Sequence, residues 1–403
     1  MVAYHRYIAL AQSSDSEERG QAAHMAALAY LSHSGPVDEE AALYAALIGF
    51  LDDPSVKVRA ALAYGLLHSE RAPRPVMLSL AQDAPVISRA VVQFSPVLLD
   101  ADLVGIIRAG DPDMLTAMTA RTALSARVAL ALLRLGQEDL CLRVLERTDP
   151  ALPEDDLIEL AERWGEDAEL RGAMLARADL PALARLHLVG QVREALMGAR
   201  MVAGAIQPRR LGRVMRDACD TAATTIGERE AGHGRKRYVA ALEENGQINA
   251  RLMLHAVVSG QVLFFADCLA QLAQTPHGKV CALLDTGSRG ALNALFARCG
   301  ISPALRNLMA RLVVHARRMD MAEDISARHF VVTVLLGEMI AEHEGEIPAA
   351  LEEAFAYLND QNVLLARAAA RQVMPAFAAS SPDLEMIEGR RSAGLLALPA
   401  AVA

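Results

Sequence analysis

Apolar residues recur at three- and four-residue intervals along most of the chain, in runs closed by glycine, proline, aspartate or serine. That spacing lines apolar side chains along one face of a helix; a half-buried strand would need alternation, which valine here rarely shows. Residues 1–51 read as three helices. The second is well signalled: Ser14 or Asp15 can cap it, Glu17 and Glu18 suit its first turn, and Ala22, Met25, Ala26 and Ala29 follow at helical spacing. Gly35-Pro36 interrupts the chain, and Asp38 is placed to cap a helix through Leu51.

The next region carries an internal echo. Asp53-Pro54-Ser55-Val56-Lys57-Val58-Arg59-Ala60-Ala61 is matched thirty positions later by Asp83-Ala84-Pro85-Val86-Ile87-Ser88-Arg89-Ala90-Val91. A looser copy runs Ser125-Ala126-Arg127-Val128-Ala129-Leu130. These segments resemble the HEAT repeat family, whose units are helix pairs with an aspartate at the inter-helix turn and an arginine in the second helix. One helix pair cannot bury its apolar face alone, so neighbours stack and share a core. The aspartate caps a helix and the arginine can bridge to the adjacent repeat.

From Ala101 to Gln207 the predicted helices shorten, with acidic starts at Asp111-Pro112-Asp113, Asp149-Pro150 and Pro153-Glu154-Asp155-Asp156. Trp164, the single tryptophan, reads as an anchor between helices. A polar, glycine-bearing joint is expected near 225–234. The stretch Gly232–Gly300 is a run of short helices in which the adjacent Phe264 and Phe265 point to different faces and can tie two neighbours together. Farther on, Ser326–Glu342 shows an apolar face with Phe330, Val334, Leu335 and Ile340, followed by helices over Leu351–Leu358 and Leu364–Met374 that end at Pro375. The pattern predicts an all-α chain: a HEAT-like α-solenoid over 1–207, a basic helix and joint over 208–234, a more compact helical domain over 235–378, and a poorly ordered tail over 379–403.

Composition narrows the functional classes. Hydrophobic residues make up 53% of the 403 positions but aromatics only 4%, so the apolar content is alanine and leucine, both strong helix formers. The longest apolar runs, such as Leu43–Leu51, fall short of the roughly 18 residues of a membrane span. The N-terminus lacks the pattern of a secretory signal, which points to a cytoplasmic protein without a transmembrane segment. The net charge of −9 and the scarcity of aromatics argue against nucleic acid as a partner. Cys141, Cys219, Cys268, Cys281 and Cys299 show no CxxC spacing and sit in apolar helical patterns, as reduced, buried small residues would.

No nucleophile elbow, zinc-protease motif or phosphate loop is present, and GHGRKR and DTGSRG follow no predicted strand. Glu338, Glu342, His343, Glu344 and Glu346 have metal-ligand chemistry but read as a solvated helix end. His255 and His315 lie on apolar helices as core or boundary residues. The strongest electrostatic feature is basic. Arg209, Arg210, Arg213 and Arg216 fall at helical spacing, and Arg235, Lys236 and Arg237 follow His233-Gly234. If the intervening segment folds back, seven cations converge on an anion, whether a phosphate, an acidic partner surface or an anionic lipid head group; otherwise they pair with Glu228, Glu230, Glu243 and Glu244.

Two segments resemble the bacterial family known as domain of unknown function 2336. One runs from Leu124-Ser125-Ala126-Arg127-Val128 to Asp179-Leu180-Pro181; the other pairs Gly260-Gln261-Val262-Leu263-Phe264-Phe265-Ala266-Asp267-Cys268-Leu269-Ala270 with Arg298-Cys299-Gly300-Ile301. The resemblance covers roughly residues 50–310 and implies an all-α, HEAT-like architecture; it carries no catalytic residues and no cofactor. The expectation is a non-enzymatic scaffold or adaptor for a protein or peptide partner, with a regulatory site for a small anionic ligand at 209–237 as the alternative. A homodimer is compatible with the apolar content.

Overall fold

A computed structural model describes residues 2–380. Every regular element among them is a helix, as the periodicity requires. Contacts divide the chain between Leu188 and Val189, inside the helix Ala182–Gly198, nineteen residues before the boundary expected at 207. The expected tail lies, from residue 381 on, outside the described residues.

The first unit holds α1 (Val2–Ala11), α2 (Ser16–Ser32), α3 (Val37–Leu51), α4 (Val56–Leu66), α5 (Arg74–Leu80), α6 (Pro85–Phe94), α7 (Asp100–Ala109), α8 (Pro112–Thr119), α9 (Ala126–Arg134), α10 (Glu138–Leu145), α11 (Glu154–Trp164) and α12 (Ala168–Ala176). Their starts follow the capping rules. Asp15 accepts from the N–H of Glu17, Asp111 from Asp113 and Met114, and Ser125 from Val128. Asp38 is not a cap: α3 starts at Val37 after Pro36, and Asp38 lies in its first turn. Asp149-Pro150 starts no helix either; the Asp149 carboxylate instead accepts from the Leu124 N–H at 2.7 Å and from Arg147.

Two series of packing run through this unit. Each even-numbered helix from α2 to α12 packs on the next even one, while α3 packs on α5 and α7 on α9. Between them they bury one continuous core from Ala22 to Leu188, against which Trp164 is partly buried. Arginines bind successive helices at both ends. At the starts, Arg19 holds Asp53 (2.7 and 3.2 Å), Arg59 holds Asp83 (2.7 and 2.8 Å), and Arg89 reaches Asp113 at 3.3 Å. The bridging role expected of Arg59 and Arg89 is therefore present, and the echo extends to Asp113. Arg74 and Asp102 make the same bidentate bond between α5 and α7.

At the helix ends, Arg121 donates to the carbonyls of Val92 and Ser95, Arg147 to those of Thr119 and Thr122, and Arg177 to those of Leu145, Arg147 and Pro150. Each arginine follows one even helix and satisfies carbonyls at the end of the preceding one, which have no acceptor role left inside it, and in the turn that follows. Arg177 is only 5% exposed, so these bonds are made out of water's reach.

The second unit continues with α13 (Ala182–Gly198, which spans the division), α14 (Arg200–Ala205), α15 (Pro208–Gly232), α16 (Arg237–Glu244), α17 (Ala250–Val258), α18 (Val262–Leu272), α19 (His277–Thr286), α20 (Arg289–Arg298), α21 (Pro303–Ala316), α22 (Ile325–Glu342) and α23 (Glu352–Ser380). α17 and α18 are central: α17 packs on α15, α18, α21 and α23, and α18 also packs on α15, α16, α19 and α20. Leu252 to Val258 are all buried, which suits a helix enclosed on all sides. The adjacent phenylalanines of α18 diverge as their positions require. Phe264 meets Tyr238 with ring centres 6.2 Å apart, and Phe265 meets Phe296 at 6.3 Å. Gly227 makes the α15–α18 approach feasible, because a Cβ there would lie 2.1 Å from the Phe264 ring.

Three expectations change here. The joint expected at 225–234 is helical to Gly232 as part of α15, since Ala223, Thr224, Ile226 and Gly227 bury a face that keeps it wound. The two helices expected after Leu351 are one, α23, with Pro375 inside it. On α22 the buried face is Ala327, Val331, Val332, Leu335, Leu336 and Met339, whereas Phe330 and Ile340 are 58% and 47% exposed.

Candidate functional site

α15 decides the fate of the basic residues. It is one unbroken helix from Pro208 to Gly232, so the rise of about 1.5 Å per residue puts roughly 24 Å between Arg216 and Gly232. Arg209, Arg210, Arg213 and Arg216 sit exposed at its start, while Arg235, Lys236 and Arg237 are exposed beyond its end. The seven cations do not converge, because the segment between them does not fold back. Arg213 pairs with Asp360 of α23 at 3.3 Å, and Arg235 with Glu230 at 3.4 Å. The other acids proposed as partners have different tasks. Glu228 accepts from the N–H groups of Leu263 and Phe264, capping α18, and Glu243 accepts from the Gln271 amide at 2.7 Å.

The acidic end of α22 is likewise engaged by the fold. Arg311 reaches Glu342 at 2.6 Å and Glu338 at 3.9 Å, and the His315 Nε2 lies 3.0 Å from Glu338. His255 is 3% exposed, between Tyr357 and Thr221. All five cysteines are free thiols; Cys141 and Cys268 are buried, and Cys219, Cys281 and Cys299 are half-buried.

One concave feature of the second unit was not legible in the sequence. It is a cleft of about 460 Å³, open on one side, where α17, α18, α19 and α21 meet the turn between α21 and α22. Val257, Phe265, Leu284 and Val313 form its apolar floor. Val262, Leu263 and Met319 stand at its edge, 49%, 41% and 37% exposed. Asp285 and Asp320 add negative charge. Two devices hold the walls. Arg317 donates to the carbonyls of Leu283, Leu284 and Gly287, closing the end of α19 against α21. Gly260, at φ +76°, turns α17 into α18 where a Cβ would lie 2.1 Å from the Met321 carbonyl oxygen. Only glycine lets the Met321 turn come that close.

Residues 87–348 match the model of a family described as an uncharacterised protein conserved in bacteria, domain of unknown function 2336. The chain belongs to this family. The match begins within α6 and ends after α22, later at both ends than the 50–310 of the resemblance, and takes in every residue of the cleft. No curated protein and no solved structure matches the chain.

A second, smaller hollow of about 310 Å³ is lined by Lys236, Gln271, Gln274, Thr275 and His277. Its lining is mixed polar and apolar, whereas that of the cleft is mainly apolar. Of the seven basic residues, Lys236 is the one that reaches a concave surface described here. In the described residues no helix is long and apolar enough to cross a membrane.

Proposed function

We propose that this chain is a cytoplasmic helical-repeat scaffold that binds a protein or peptide partner. The observation that carries the reading is the apolar cleft with Val262, Leu263 and Met319 exposed at its edge. Contiguous exposed apolar surface around a concave floor suits the side chains of an apolar anchor segment. Asp285 and Asp320 would favour basic residues next to that anchor. The first unit supports the scaffold half of the reading. Its even helices stack in series with arginine bridges recurring from Arg19 to Arg177, as neighbouring HEAT-like repeats of a solenoid would. The five free thiols suit a reducing compartment.

The test is photo-crosslinking from Met319 in the native host. A discrete polypeptide should be captured, and Leu263→Asp should abolish its capture while leaving the melting temperature within a few degrees. Capture that survives Leu263→Asp would place the partner elsewhere and overturn the role of the cleft.

A further inference from the structure

One wall of the cleft carries chemistry that its apolar floor does not need. Cys281 lines the cleft, and its Sγ lies 3.1 Å from His277 Nε2, one helical turn earlier on α19. The opposite ring nitrogen, His277 Nδ1, lies 2.5 Å from Asp267 Oδ1 on α18. Asp267 is 8% exposed, whereas His277 and Cys281 are half-buried. The carboxylate accepts, so in the neutral ring Nδ1 carries the proton and Nε2 presents a lone pair to the thiol. The order is acid, imidazole, thiol, each within hydrogen-bond reach of the next, which is the arrangement that activates a nucleophile. The two ring nitrogens face opposite ways, so the three groups line up as a relay and do not converge on one ion.

We propose that Cys281 is a self-acylating thiol that takes an apolar acyl group from an acyl thioester, with His277 as its base and Asp267 holding the ring. The step balances without any further reactant. His277 Nε2 takes the Sγ proton as sulfur attacks the carbonyl carbon. The carbon–sulfur bond of the donor breaks, and His277 returns the proton to the departing thiol. The products are S-acyl-Cys281 and a free thiol. The cleft supplies the apolar surroundings for the acyl chain, and His277 also lines the second hollow. Burial, reinforced by the negative charge of Asp267, raises the Cys281 pKa, so the resting group is a thiol and needs a base at its sulfur. This inference goes beyond the partner reading and does not depend on it.

The experiment uses the full chain and octanoyl-N-acetylcysteamine, an acyl thioester of low reactivity. Intact-mass and peptide analysis should show one octanoyl group, on Cys281, with Cys219 and Cys299 unlabelled although they too are half-buried. His277→Gln should slow labelling of Cys281 about a hundredfold, the lower range for a general base. Asp267→Asn should lower the saturating rate while leaving the half-saturating probe concentration unchanged, because it acts through the ring and not on the acyl chain. Labelling spread evenly over the three half-buried cysteines, or a Cys281 rate within threefold of wild type in a folded His277→Gln variant, would overturn the proposal. The distribution of label in the wild-type chain decides the matter even if a variant fails to fold.

Discussion

His255 is the residue where burial and protonation are most tightly linked. It lies on α17, with Nδ1 2.8 Å from the Tyr357 hydroxyl and Nε2 3.1 Å from Thr221 Oγ1. The Thr221 hydroxyl donates to the Asp217 carbonyl, so it accepts from Nε2–H, and Nδ1 accepts from Tyr357. A neutral ring therefore satisfies both partners. Burial lowers its pKa from 6.5 to about 4; the charge of Asp217 opposes that, and the charge of Arg251 adds to it. Because the folded pKa lies below the unfolded one, the unfolded chain binds more protons between these values. The stabilisation is full above pH 6.5 and is lost as pH falls toward 4, amounting to about 3 kcal/mol. Asp217 and Asp220, raised chiefly by burial, titrate in the opposite sense around the same Arg251. A comparison with His255→Gln removes their common contribution and leaves the ring's own titration together with its coupling to Asp217. Urea denaturation should show the stability difference between wild type and His255→Gln shrinking by about 2–3 kcal/mol from pH 7 to pH 4. A difference independent of pH would mean that the ring is not buried in its neutral form.

At the scale of elements, the arginine bridges separate by exposure. Arg59 and Asp83 are 17% and 12% exposed and share two bonds, whereas Arg89 and Asp113 are 47% and 61% exposed and touch at 3.3 Å. The same sequence echo thus yields one bridge shielded from water and one open to it. Arg59→Ala should cost about 2 kcal/mol, as loss of a partly buried charged hydrogen bond does. Arg89→Ala should cost less than about 1 kcal/mol. Equal losses in urea denaturation would mean that burial does not govern the ladder. Helix starts were readable here because capping is local: Asp15, Asp111 and Ser125 each bond within three residues. The carbonyl clasps of Arg121, Arg147 and Arg177 were not readable. Their acceptors lie 25 to 32 residues back, and no residue type marks a backbone carbonyl.

Over the whole molecule, the first unit has its own core from Ala22 to Leu188, and its bridges close within it. A chain ending after Gly198, which keeps α13 whole, should fold alone and melt cooperatively by circular dichroism. A broad, non-cooperative melt would show that the core is incomplete without the rest. The basic residues teach a different lesson at this scale. Their types and spacing were plain, but whether Arg216 and Arg235 meet depended on whether α15 stayed wound. Four buried residues between 223 and 227 decided that it did. The one-turn spacing of His277 and Cys281 marks no site in the sequence, and Asp267 joins them only through the packing of α18 on α19.

The sequence by itself determined the all-helical character, most helix starts, the Asp–Arg echo and the family, because each depends on neighbours a few residues apart or on a repeating pattern. Only the tertiary structure decided that the seven cations stay apart, that Phe330 and Ile340 face outward, and that a cleft opens beside Cys281. Those outcomes depend on which helix covers which face, and that is fixed by contacts between segments far apart in the chain.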